Sequence, residues 1–275
     1  MISEWPKRIT SPSANCHSCT GAVVVAFTLV GVLLDVALGE RLFTFHNSGA
    51  TLEVFVPGLN GAQLPVEEFV FYVTSCTFVL SLYLVSDCFL FRVLFKPFPP
   101  GSLLPSVAGV MAAVTPLVLL LLLVSYCCRA VLSGDWLGLP EYMWFITAFG
   151  FGPAAASYPF ACHSVNRQAL AFTTVTTLLI SVIWEVTLGV PYEWWGYHPQ
   201  RMMGIFIKPW HNLPVEAVVV WFMVSFAVVL SYEALHTLRA QGPSSRCRAA
   251  LIGMPPGCRP LTDGDKHSQD ADLNG

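Results

Sequence analysis

The chain has 275 residues, of which 55% are hydrophobic and only 11% charged, and its mean hydropathy is +0.62. Soluble domains carry about a quarter charged residues, so this composition excludes an ordinary water-soluble globule and points to an integral membrane protein. Lys and Arg number 14 against 17 Asp and Glu, a net charge of −3, which excludes the basic stripe that a nucleic-acid partner requires.

A helix needs about 20 mostly apolar residues to cross the hydrocarbon core. Six runs meet this test, at residues 18–39, 64–90, 103–132, 140–161, 168–189 and 213–238, so the expected fold is all-α with about six transmembrane helices. Residues 1–17 form a polar N-terminal segment. The first run follows it, is long enough to span and lacks a small-residue cleavage site near Asp35 and Glu40, so it reads as a span and not as a secretory signal. The membrane domain is expected over 18–238. Residues 239–275, rich in Gly, Pro, Ser and charge, cannot bury enough apolar surface to offset their ordering entropy and are expected to form a disordered cytoplasmic tail.

Orientation follows from the cations. With the N-terminus inside, Lys7, Arg8, Arg92, Lys96, Arg167, Arg239, Arg246, Arg248, Arg259 and Lys266 lie on the inner side, leaving Arg41, Arg129, Arg201 and Lys208 outside. The expectation is a multi-pass protein of the plasma membrane with both termini cytoplasmic.

The chain repeats itself. Leu34-Asp35-Val36-Ala37-Leu38-Gly39 closes the first run, and Trp184-Glu185-Val186-Thr187-Leu188-Gly189 closes the fifth, 150 residues later. Leu64-Pro65-Val66-Glu67 opens the second run, and Leu213-Pro214-Val215-Glu216 opens the sixth, 149 residues later. The same offset carries Tyr83 onto Tyr232. Four crossings separate the copies, over about 20–96 and 168–238, so they share one orientation, as parallel repeats do. A weaker third echo, Leu139-Pro140-Glu141-Tyr142, opens the fourth run. For Glu141 helix chemistry alone suffices, because Pro suits a first turn and an acid there complements the helix dipole.

Acids at membrane depth are costly and mark functional sites. In each copy one carboxyl closes an outward-running helix and another opens the next, so loop closure should bring Asp35 toward Glu67 and Glu68, and Glu185 toward Glu216. Two carboxyls in an apolar site repel as charges, so one keeps its proton and the pair becomes an acid and a base. The candidate catalytic residues are therefore Glu67, Glu68, Asp35, Glu185 and Glu216. The candidate substrate-binding rings are Phe71, Tyr72, Trp194, Trp195, Tyr197 and Trp221, whose faces can stabilise a cation. A proton donor beside ring faces in a greasy cavity suits protonation of an alkene.

These residues resemble the lycopene cyclase domain family, small polytopic proteins with tandem Pro-Val/Ile-Glu-Glu motifs. The resemblance rests on Leu64-Pro65-Val66-Glu67-Glu68-Phe69, the acid-bearing helix end before it, and the second copy with its Trp and Tyr-rich loop, Gly204 and Leu213-Pro214-Val215-Glu216. It implies cofactor-independent, acid-catalysed closure of the ψ end of lycopene or a related linear carotenoid, an intramolecular lyase or isomerase reaction without net redox change. Glu67 and Glu68 match the paired acids of the first motif, and Glu216 the first acid of the second. Ala217 stands where the second motif has its other acid. That departure keeps two alternatives in view: a carotenoid-modifying hydratase, and a non-catalytic isoprenoid-binding or partner subunit. The implied partners are a lipid-soluble carotenoid, membrane lipids and, for an oligomer, a second cyclase-domain chain.

Other signals carry less. Cys16-His17-Ser18-Cys19 lacks a second pair, and the remaining cysteines are scattered. Gly150-Phe151-Gly152 imitates a dinucleotide fingerprint without a preceding strand. No metal or cofactor is expected, since His163, His198, His211 and His236 are not at ligand spacing on one helix.

Overall fold

The computed structural model describes residues 14–47, 49, 51–59, 63–94, 120, 123 and 140–240. Among the described residues, four helices are long and apolar enough to cross a membrane: Ser18–Gly39, Val66–Phe91, Arg167–Gly189 and Val215–Ala240. They lie within α1 (Ala14–Leu42), within α2 (Val66–Val85) and its π-helical continuation Ser86–Leu94, within α5 (Arg167–Trp184) and the π-turn Glu185–Gly189, and in α6 (Val215–Ala240). At about 1.5 Å per residue, the 26 residues of α6 reach roughly 39 Å.

The fourth expected span is helical but interrupted. It consists of α3 (Glu141–Ile146), a π-turn at Thr147–Phe151 and α4 (Gly152–Ala161), with Pro153 in the first turn of α4 and Pro159 inside it. These glycines and prolines weaken the regular hydrogen-bond ladder. The third expected span, 103–132, lies outside the described residues apart from Leu120 and Leu123. The expected tail beyond Ala240 and residues 1–13 lie outside them too.

The protein is mostly helical and is organised around α6, which packs most extensively on α4 and also on α5, α1 and α3. A run of small and branched side chains, Ala227, Val228, Val229 and Leu230, is fully enclosed there against Val79, Leu80 and Tyr83 of α2. By contrast α1 exposes Val25, Leu29 and Leu33, as a helix facing lipid does. Gly150 permits a close crossing, since a Cβ placed on it would lie 2.7 Å from the Cβ of Met223 in α6.

Among the described residues, three short strand pairs organise the connections. β1 (Phe43–Thr44) follows α1 and pairs antiparallel with β4 (Gly196–Tyr197), Phe43 opposite Tyr197 and Thr44 opposite Gly196. β2 (Phe55–Pro57) and β3 (Gln63–Pro65) form a hairpin that leads into α2, with Phe55 opposite Pro65 and Val56 opposite Leu64. β5 (Phe206–Ile207) and β6 (Leu213–Pro214) lead into α6 in the same way, with Phe206 opposite Pro214 and Ile207 opposite Leu213. Proline suits the last position of these strands because it has no N–H to give to the ladder.

At the far end of the helices lies a second polar cluster. The Tyr83 hydroxyl donates to Glu233 Oε1 at 2.8 Å and accepts from the Asn166 N–H at 3.1 Å. Asn166 also donates to Asp87 Oδ1 at 2.8 Å, and its own Oδ1 caps α5 by accepting from the N–H groups of Gln168 and Ala169. Tyr83 and Tyr232 meet edge to face, 6.5 Å between ring centres.

Replacing Gly150 by Ala forces the Met223 backbone aside, and overpacking of this kind costs about 1–3 kcal/mol. Gly150→Ala should therefore lower the thermal unfolding midpoint in detergent. Gly152→Ala, which meets nothing closer than 3.9 Å, should not.

Candidate functional site

Burial is the first fact about the acids. Asp35 is 3% exposed, Glu185 4% and Glu216 0%, and a buried charge is tolerated only with partners. Asp35, near the end of α1, accepts a hydrogen bond from the hydroxyl of Tyr72, two turns into α2. Glu185 opens the π-turn that ends the α5 span. Its Oε1 accepts from Trp221 Nε1 at 2.9 Å and its Oε2 from the Tyr197 hydroxyl at 2.8 Å. Both oxygens thus face donors, an arrangement suited to a carboxylate that accepts.

Glu67 and Glu68 stand side by side in the first turn of α2 but point differently, since neighbours on a helix do not share a face. Glu67 Oε1 accepts from the Leu52 N–H in the preceding loop. Glu68 lies within charge-interaction range of Asp35 and Glu67. Glu216 Oε1 accepts from the Met203 N–H and lies behind the second hairpin.

A cavity of about 470 Å³ opens between the two halves. Glu67, Glu68 and Glu185 line it, together with all six rings singled out from the sequence: Phe71, Tyr72, Trp194, Trp195, Tyr197 and Trp221. Asp35 and Glu216 are not among its lining residues; Asp35 reaches it through Tyr72. The rings interlock. Phe71 stacks on Trp184 with 5.9 Å between centres and a 14° angle, and meets Trp221 edge-on at 5.6 Å. Trp184 and Trp195 are 4.4 Å apart. The ring of Tyr72 lies over Gly31, where a Cβ would approach it to 2.6 Å, and Trp195 covers Gly189 in the same manner.

Sequence reasoning missed several participants. Tyr142 of α3 is 4% exposed, lines the cavity, and lies within charge-interaction range of Glu185, Glu216, Asp35 and Glu68. Phe43 meets it edge-on at 5.2 Å. The signal was the Pro140-Glu141-Tyr142 echo, which draws the eye to the acid and not to the ring. Glu141 itself is held at the rim by ion pairs with Arg41, at 3.1 Å, and with Arg201. Trp184 stood in the helix-end motif directly before Glu185 and was passed over. The buried acids Asp87 and Glu233 at the far end were missed too.

Tyr197 lies in the loop between spans. Burial, and then the neighbouring Glu185 carboxylate, hold its phenol well above the ordinary value of 10.0. The native protein keeps this proton above pH 10 whereas the unfolded chain releases it. The stability tied to Tyr197 is thus complete below about pH 10 and lost as pH rises further. The tyrosinate absorbance of the native protein minus that of Tyr197→Phe should show no step between about pH 9 and 11; a one-tyrosine step near 10 contradicts the placement. Comparison of the chain with protein-family models, with curated proteins and with solved structures finds no match.

Proposed function

We propose that the chain is a membrane-embedded, carotenoid cyclase-like enzyme that closes the ψ end of lycopene or a related linear carotenoid by acid catalysis. The observation that carries this reading is that Glu68 and Glu185, from opposite halves, open onto one cavity walled by aromatic faces.

In this reading the proton passes from Glu68 to the terminal alkene and leaves a tertiary cation. The π electrons of the nearby internal alkene then attack that cation, close the six-membered ring and generate a second tertiary cation. A ring carbon next to it gives up a proton to Glu185, and a ring double bond forms. One proton enters and one leaves, so the product is an isomer and no redox partner is required. Glu68 and Asp35, close together in apolar space, cannot both be anions, which supports Glu68 as donor. Glu185, accepting on both oxygens, suits the base. Each ring face is worth about 0.5–2 kcal/mol to a cation held against it, and Phe71, Trp184 and Trp221 lie together at the cavity wall.

We propose also that the two halves are parallel copies within a six-span protein, and that the chain belongs with the lycopene cyclase domain family. Matching details support the repeat. Tyr72 to Asp35 and Trp221 to Glu185 are equivalent hydrogen bonds at the 149 to 150-residue offset. The hairpins share their Phe-opposite-Pro register. The loops after the two outward helices pair with each other: Phe43 with Tyr197 and, at the exchanged positions, the Asn47 N–H with the Glu193 carbonyl at 3.1 Å.

Expressed in a lycopene-producing host, the protein should convert lycopene into a cyclised isomer of unchanged mass, read by pigment chromatography. Unchanged lycopene with the protein present in the membrane overturns the reading. Glu185→Gln should slow conversion by roughly 10²–10⁴-fold, the usual worth of a general base.

On a cysteine-free background, Cys at Asn47 and at His198 should label with a polar reagent from outside the cell, and Cys at Phe71 or Trp221 should resist it. Labelling of both loops from the inside reverses the orientation; labelling from opposite sides defeats the parallel repeat.

A further inference from the structure

The adjacent acids of the Leu64–Glu68 motif are held differently, and the second half shows which difference matters. Glu67 accepts the N–H of Leu52, and Glu216 accepts the N–H of Met203. The residue after each donor has positive φ, Glu53 at 59° and Gly204 at 87°. One residue further on, the carbonyls of Val54 and Ile205 accept from Val66 at 2.9 Å and Val215 at 3.1 Å, the first residues of α2 and α6. Next come Phe55 and Phe206, opposite Pro65 and Pro214. The first acid of each motif therefore closes the same built turn. A non-glycine residue in the left-handed region is strained, so the turn at Glu53 needs such a fastening. The neighbour of this acid is Glu68 in one half and Ala217, 1% exposed, in the other: the fastening acid is present twice, the second acid once.

We infer that the two acids do separate jobs: Glu67, like Glu216, is a positioning residue that latches the loop to the head of its helix, and Glu68 is the one proton donor of the cavity. The donor half of this inference rests on the proposed cyclase reading; the latch half does not. Only one oxygen of Glu67 is engaged, Oε2 being buried with no donor beside it, so an amide satisfies the same contact through its oxygen. Glutamine at 67 therefore preserves the latch and alanine removes it, whereas glutamine at 68 removes the transferable proton and leaves the loop intact. With one donor on the cavity described, one chain end is processed per binding event.

The test combines amide hydrogen exchange at Leu52, followed by mass spectrometry on the purified full chain, with pigment analysis in the lycopene-producing host. Glu67→Ala should speed exchange at Leu52 and lower product yield, and Glu67→Gln should restore both. Glu68→Gln should leave Leu52 exchange unchanged and cut product by about 10²-fold or more. A Glu67→Gln protein that keeps Leu52 protected and makes no product overturns the division, because Glu67 is then the donor. An active Glu68→Gln protein overturns it equally, and Leu52 exchange that ignores Glu67→Ala removes the latch. If the wild-type chain makes no cyclic product while Leu52 responds as stated, the cyclase reading and the donor assignment fail and the latch stands.

Discussion

In a lipid solvent a carboxyl must find its hydrogen-bond donors inside the protein, and the arrangement of this molecule follows from that requirement at Glu185. Its two donors come from different elements, Trp221 from α6 and Tyr197 from β4. Satisfying both fixes the end of α5, the loop strand and the central helix relative to one another. Trp184, Tyr197 and Trp221, three of the rings that line the cavity, are carried on these same elements, so this wall of the pocket and the solvation of the acid are one constraint. Removing either donor leaves a buried oxygen short of a partner, a loss of about 1–3 kcal/mol, and frees a cavity wall as well.

Asp35 meets this requirement in part, through Tyr72, while its Oδ2 is buried with no hydrogen-bond partner, and the contrast between the two acids gives the site its polarity. Glu185 borders the cavity directly, whereas Asp35 sits behind a phenol that faces it. Substrate would thus meet a carboxylate on one wall and, on the other, Glu68 backed by Asp35. The far cluster of Tyr83, Glu233, Asn166 and Asp87 is linked by hydrogen bonds of its own. It ties α2, α5 and α6 together at the opposite end, so the cavity is braced at both ends of the helices.

Much of this was legible in the sequence because it is local. Apolar runs, the acids that end them and the aromatic loops between them are read directly, and every ring chosen on that basis lines the cavity. What was not legible depends on rotation about helix axes. Glu67 and Glu68 are neighbours in the chain but point about 100° apart around α2, so one reaches a loop N–H and the other an acid on α1. Glu216 read as an acid at a facing helix end, and the fact that its Oε1 accepts the Met203 N–H of the preceding loop could not be read from its spacing. Tyr142 could not be placed because α3 approaches the site from outside both copies of the motif. The interrupted helix from Glu141 to Ala161 was foreshadowed by Gly150, Gly152 and Pro153, which hydropathy alone overlooks.

If the two halves are the parallel copies proposed above, the pairing of β1 with β4 has an implication for how such a chain could arise. Phe43 lies opposite Tyr197, and Asn47 bonds to Glu193; shifting each partner by 150 residues turns the first relation into the second. A contact that maps onto itself when its two sides are exchanged is isologous, the type by which identical subunits form closed dimers. An ancestral half-length chain carrying only the first loop would have possessed both sides of that contact already. Fusion of two such genes then preserves a dimer interface as an internal joint and releases the second copy from carrying its own full set of acids, which is the condition under which a position such as Ala217 can drift.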